Sequence, residues 1–66
     1  MSLRFLYALV RAGIARGDLP DADYRFVPMH KGGPWRACVK GASLTAPQCA
    51  LLQAMINRAA GAYSPP

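Results

Sequence analysis

The stretch Tyr24-Arg25-Phe26-Val27-Pro28-Met29-His30-Lys31-Gly32-Gly33-Pro34-Trp35-Arg36-Ala37-Cys38-Val39-Lys40-Gly41 decides the fold. Two runs of period-two alternation flank a glycine turn, the pattern of a β-hairpin. Successive strand side chains point to opposite faces. Tyr24, Phe26, Trp35, Ala37 and Val39 therefore share one face, and Arg25, Arg36 and Lys40 share the other. Such a ribbon lays its apolar side on a core and turns a cationic side outward. A two-residue Gly32-Gly33 turn pairs Phe26 with Val39, Val27 with Cys38 and Arg25 with Lys40. A loop longer by two residues keeps the same parity, so the faces are fixed more firmly than the register. Pro28 has no N–H to give to a ladder, so its strand is an edge or ends early.

A lone two-stranded ribbon is marginal and has to lie on something. Helices on either side supply it. Leu3, Leu6, Val10 and Ile14 recur at spacings of three, four and four, which puts them on one stripe of a helix over residues 2–16. Phe5 and Leu9 widen that stripe, and Arg4 and Arg11 lie opposite with Ala8 and Ala15. Gly13 falls inside the stripe at a cost of about 1 kcal/mol in helix propensity, so close packing against another backbone is expected there. Gly17 suits the C-cap, Arg16 the negative end of the dipole, and Pro20 forbids continuation. Asp18-Leu19-Pro20-Asp21-Ala22-Asp23 reads as a turn and holds every acidic side chain of the chain.

The second helix spans 46–60. Thr45 with Gln48 three residues on is a capping box, Leu44 and Cys49 take hydrophobic-staple positions, and Pro47 sits harmlessly in the first turn. Leu52, Met55, Ile56 and Ala59 continue the apolar side, and Gln53 and Asn57 lie four apart on the far side. Gly61 is the expected stop and 62–66 a tail. The expected architecture is a small single α+β domain over residues 1–66: helix 2–16, strands 24–30 and 35–40, helix 46–60. The order is α-β-β-α, with a two-stranded antiparallel hairpin packed on two helices.

The segment Leu44-Thr45-Ala46-Pro47-Gln48 followed by Leu51-Leu52 resembles the opening helix of winged-helix and LuxR-type DNA-binding domains. Those families continue with a turn and a recognition helix. Here the helix is followed by Ala62-Tyr63-Ser64-Pro65-Pro66, so no functional residue is carried over.

Composition narrows function. Sixty-six residues make one domain at most, and a chain this short buries only about 60% of its unfolded surface. A deep enclosed pocket is not expected. The 53% hydrophobic content is enough for a folded core. The net charge of +5 comes from eight Lys and Arg against three Asp, and six of the eight are arginine. Arginine's planar fork suits carboxylates and phosphates, and an excess of this sign favours an acidic protein, a nucleic acid or an anionic membrane. The membrane is disfavoured because the ribbon needs the apolar face of the first helix for its own core. The longest apolar run, Phe5–Val10, is six residues against the ~20 of a membrane span. No export signal is visible either, so the cytoplasm is the expected compartment and the thiols are expected to be reduced.

Chemistry finds few parts. The chain has one histidine, His30, and no Glu. His30 with Ser43 or a cysteine lacks an orienting third group. His30, Cys38 and Cys49 lack the four ligands and close spacing of a structural zinc site. The Asp18–Asp23 run lacks the glycine and bidentate Glu of a calcium loop. Neither metal nor cofactor is expected, and the chain reads as a non-enzyme. Cys49 on the helix stripe is expected to be a small buried hydrophobe. Trp35 is expected in the core with Phe26 and Val39, the alternative being a base-stacking platform.

The candidate partner-binding residues are Arg25, Val27, Met29, Lys31, Arg36 and Lys40, on the outer face of the hairpin and towards its turn. Arg25 opposite Lys40 would repel mildly, which an anionic ligand would relieve. Val27, Met29 and Cys38 mix apolar atoms into the patch, as protein interfaces do. The expected function is a small inhibitor, adaptor or regulator that binds a macromolecule. The alternatives are direct nucleic-acid binding, with affinity falling steeply in salt, and a phage or mobile-element protein that inhibits a host defence or regulatory complex. Edge pairing of strands would also permit a homodimer.

Overall fold

The computed structural model describes residues 3–28 and 35–61. Met29, His30, Lys31 and the expected tail lie outside the described residues. Within them the order is α1 (Leu3–Ala15), β1 (Asp23–Pro28), β2 (Trp35–Lys40) and α2 (Ala46–Gly61). The molecule is a small α+β domain with two helices and an antiparallel hairpin, as the alternation and the helical stripes require.

Period-two parity is realised in the sheet. Tyr24 and Phe26 are buried, at 6% and 5% exposure, while Arg25 and Val27 between them are exposed. Trp35, Ala37 and Val39 point the same way from β2 and pack against the core, half-buried. The register differs from that expected of a Gly32-Gly33 turn. Tyr24 pairs with Val39, Phe26 with Ala37 and Pro28 with Trp35, two positions away from the expected alignment. Gly32 and Gly33 lie outside the described residues, and a shift of two leaves every side chain on its own face. Asp23, expected in the turn, opens β1 opposite Lys40.

Leu6, Val10, Leu19, Tyr24, Phe26, Leu52, Met55, Ile56 and Ala59 form the core. Each helix contributes the stripe that its spacing dictates, except that Leu3 and Phe5, near the start of α1, stay exposed and Ile14 is half-buried. Leu19 comes from the turn rather than from an element, and Gly13 makes room for it. A Cβ on Gly13 would stand 3.1 Å from both Leu19 Cδ1 and Met55 Cε. The close approach expected at Gly13 is thus to two side chains rather than to another backbone.

Both helix ends near the turn are closed by their own sequence. Gly17 adopts φ +82°, its N–H donates to Ile14 O at 3.0 Å, and the Asp18 N–H donates to Gly13 O at 2.9 Å. This 5→2 and 6→1 pair is a Schellman motif, and the positive φ is why glycine stands there. Arg16 lies just past α1, where its Nε pairs with Asp18 Oδ2 at 2.9 Å. At the start of α2, Thr45 N–H donates to Gln48 Oε1 (2.9 Å) and Gln48 N–H to Thr45 Oγ1 (3.3 Å), the reciprocal bonds of a capping box. Gln48 Nε2 also donates to Asp18 O at 3.4 Å, tying that box to the end of α1. Gln53 Nε2 donates to Asn57 Oδ1 at 3.0 Å on the solvent side of α2.

Candidate functional site

The sheet places the outer-face residues in three cross-strand pairs: Asp23 with Lys40, Arg25 with Cys38, and Val27 with Arg36. Arg25, Val27, Arg36 and Lys40 are all exposed, Val27 at 40%. Met29 and Lys31, the other candidate partner-binding residues, lie outside the described residues, as does His30. The expected Arg25–Lys40 opposition is not formed. Lys40 faces a carboxylate, and the same Asp23 reaches Arg25, with Oδ2 3.7 Å from Nε. Opposite charges across a ladder stabilise it, whereas like charges would not, so the ladder itself favours this register. The Asp23–Arg25 contact is long and well exposed. Such pairs contribute about 0–1 kcal/mol and leave the guanidinium available to a ligand.

The result is a mixed face. Three cations surround the exposed Val27 and the half-buried Cys38, with one acid at the end away from the turn. No ion pair engages Arg36 or Lys40 among the described residues. A face of this kind can accept carboxylates or phosphates at Arg36 and Lys40 and an apolar group over Val27.

Behind the sheet, hydrogen bonds fix the ribbon to the turn that follows α1 and to α1 itself. Tyr24 Oη donates to Pro20 O at 2.6 Å. Burial pushes the Tyr24 phenol above its ordinary pKa, and the nearby Asp21 carboxylate adds to the rise. Tyr7 Oη accepts the Phe26 N–H at 3.4 Å, and the two rings meet edge to face with centroids 5.3 Å apart. The geometry of the basic face therefore rests on an anchored strand.

Two surface features were not anticipated from the sequence. The first is a depression on α1 lined by Arg4, Tyr7, Ala8 and Arg11. Its signal was the seven-residue spacing of the two arginines. The second is a groove of about 660 Å³ between β2 and α2, whose lining includes Trp35, Ala37, Val39, Leu44, Leu52 and Ile56. Trp35 lies on the inner face as expected but lines this groove, so it is only half-buried. The small Ala37 between Trp35 and Val39 was the available signal. Cys49 also lines the groove and is exposed, not a buried hydrophobe. It sits in the first turn of α2. Cys38 and Cys49 thus occupy opposite sides of the sheet.

No group of three His, Cys, Asp or Glu side chains that could hold a metal occurs among the described residues, and none of their helices is long and apolar enough to cross a membrane. No known protein family matches this chain, and no curated protein or solved structure shows significant similarity to it.

Proposed function

We propose that this is a non-enzymatic binding protein that docks an acidic protein partner on the outer face of its hairpin. One observation carries the reading: Arg36, exposed and without an ion pair among the described residues, stands directly across the ladder from the exposed Val27. A guanidinium beside an apolar side chain suits a carboxylate next to a hydrophobic group, a common pairing at protein interfaces, where arginine is enriched. The acid at Asp23 lowers the positive potential at one end of the face. A phosphate backbone would gain from uniform positive charge along it, so the mixed face favours protein over nucleic acid.

The test is affinity capture on the immobilised protein, with and without nuclease, at low and moderate salt, for the native chain and for Arg36→Glu. A protein retained after nuclease at moderate salt, and lost with Arg36→Glu, supports the reading. Loss of everything on nuclease treatment transfers the face to nucleic acid. Retention of every partner by Arg36→Glu removes the site.

A further inference from the structure

The two edges of the hairpin are not equivalent. On β1 the Phe26 N–H is given to Tyr7 Oη, outside the sheet. That amide therefore points away from β2, and Phe26 with Ala37 forms a non-hydrogen-bonded pair of the antiparallel ladder. Alternation then turns the backbone groups of Tyr24, Phe26 and Pro28 out of the β1 edge. It turns those of Val39, Ala37 and Trp35 out of the β2 edge. The β1 edge is obstructed: Tyr7 occupies one N–H, and Pro28 has none to offer. The β2 edge keeps a donor and an acceptor on each of Trp35, Ala37 and Val39, and no backbone bond outside the ladder uses them among the described residues. Along this flank runs the apolar groove, whose lining contains no residue of β1 or α1.

We propose that two copies of this chain join through β2, antiparallel about a two-fold axis at Ala37, to form a four-stranded sheet. An open antiparallel edge is self-complementary, because each residue offers both a donor and an acceptor to its symmetry mate. Charge and strand length together select the position of the axis, since an axis at Trp35 or Val39 would pair less of β2. A two-fold at Arg36 would set that residue against the partner's Arg36, and one at Cys38 would set Arg36 against the partner's Lys40. Both place cation opposite cation, which destabilises a sheet. At Ala37 the axis sets Arg36 against the partner's Cys38 and Trp35 against the partner's Val39. On the side facing α2, the partner's Val39 and Trp35 then continue the apolar floor where the groove opens. The outer faces of the two hairpins become one surface, which extends the basic face without depending on what binds it.

Three measurements test this. Sedimentation equilibrium of the native chain from micromolar to millimolar concentration is expected to give twice the protomer mass at the upper end. Hydrogen exchange is expected to show Trp35, Ala37 and Val39 amides protected at high concentration and released on dilution. The variant Ala37→Cys, with Cys38→Ser and Cys49→Ser, is expected to form a disulfide-linked dimer on mild oxidation, since hydrogen-bonded antiparallel partners have Cα atoms about 5.5 Å apart, within disulfide reach. A single-protomer mass at every concentration overturns the proposal. So does a dimer whose Trp35, Ala37 and Val39 amides exchange as fast as in the dilute protein. A dimer that cross-links readily through Cys38 in the Cys49→Ser variant, but not through Ala37→Cys, overturns the assigned axis. The native-chain mass and exchange remain decisive if the triple variant fails to fold.

Discussion

Asp23 stands across the ladder from Lys40 and pairs with Arg25, so one carboxylate lies beside two cations at one end of the basic face. Removing it should sharpen the face without loosening the fold. Asp23→Asn is expected to tighten binding of an acidic partner several-fold at low salt and to change stability by less than about 1 kcal/mol, the ceiling for an exposed pair. Asp21→Asn makes the same change in net charge but lies outside the sheet, and should leave binding unchanged. Titration of both variants against the captured partner separates local from global charge. Equal tightening in both would mean that only net charge matters.

The Thr45–Gln48 capping box should contribute measurably to stability. Thr45→Ala is expected to lower it by about 1 kcal/mol, within the usual range for an N-cap. Gln48→Ala loses its half of the box and also the bond to Asp18 O. Because the two residues share one motif, the double variant should cost less than the two single losses added together. Urea unfolding of the four proteins in this cycle measures the coupling.

Gly13 sets the spacing between α1, Leu19 and Met55. Gly13→Ala gains helix propensity of about 1 kcal/mol but pushes on two side-chain ends at 3.1 Å, so the effects oppose and the net change should be small. Gly13→Val adds bulk with no room to retreat and is expected to cost about 1–3 kcal/mol, as overpacked cores do. Thermal unfolding that finds valine as well tolerated as alanine would show that the contact is loose.

Tyr24 makes the fold sensitive to alkali. Its phenol titrates higher in the folded state than its ordinary value of about 10. The protonated form is therefore the one that folding favours. The stability it supplies is complete below that value and is lost as pH rises through the folded-state value. Tyr24→Phe should flatten that part of the stability–pH curve. At neutral pH it should cost about 0.5–1.5 kcal/mol, because Pro20 O loses its 2.6 Å donor. Denaturant midpoints measured either side of pH 10 check both effects.

The faces of the hairpin were legible in the sequence, and its register was not. Burial of Tyr24 and Phe26 dictates parity, because a slip of one residue would expose both rings. A slip of two exposes neither, so hydrophobic patterning does not distinguish Tyr24 opposite Val39 from Phe26 opposite Val39. What does distinguish them is the cross-strand meeting of Asp23 with Lys40 and of Arg25 with Cys38, which keeps the two cations from facing each other. Neither is visible in local alternation. The two helix ends were readable because caps are written within a few residues: Gly17 for one, Thr45 and Gln48 for the other. Leu19 in the core and Cys49 at the groove escaped the reading because both depend on where α1 and β2 stop, a tertiary matter. Of the basic face, Arg25, Val27, Arg36 and Lys40 follow from parity alone. The groove needed the separation of β2 from α2, which no spacing rule encodes.

Placing Cys38 and Cys49 on opposite sides of one thin sheet gives the molecule two native reporters. A thiol dye on the first sits in the midst of the cations and senses whatever docks there. A dye on the second sits beside Leu44 and Leu52 and senses filling of the cleft beneath. Single-cysteine versions need only one serine replacement each; the Cys38 dye, which the proposed dimer sets against the partner's Arg36, responds to docking and to self-association alike, whereas the Cys49 dye reports the cleft.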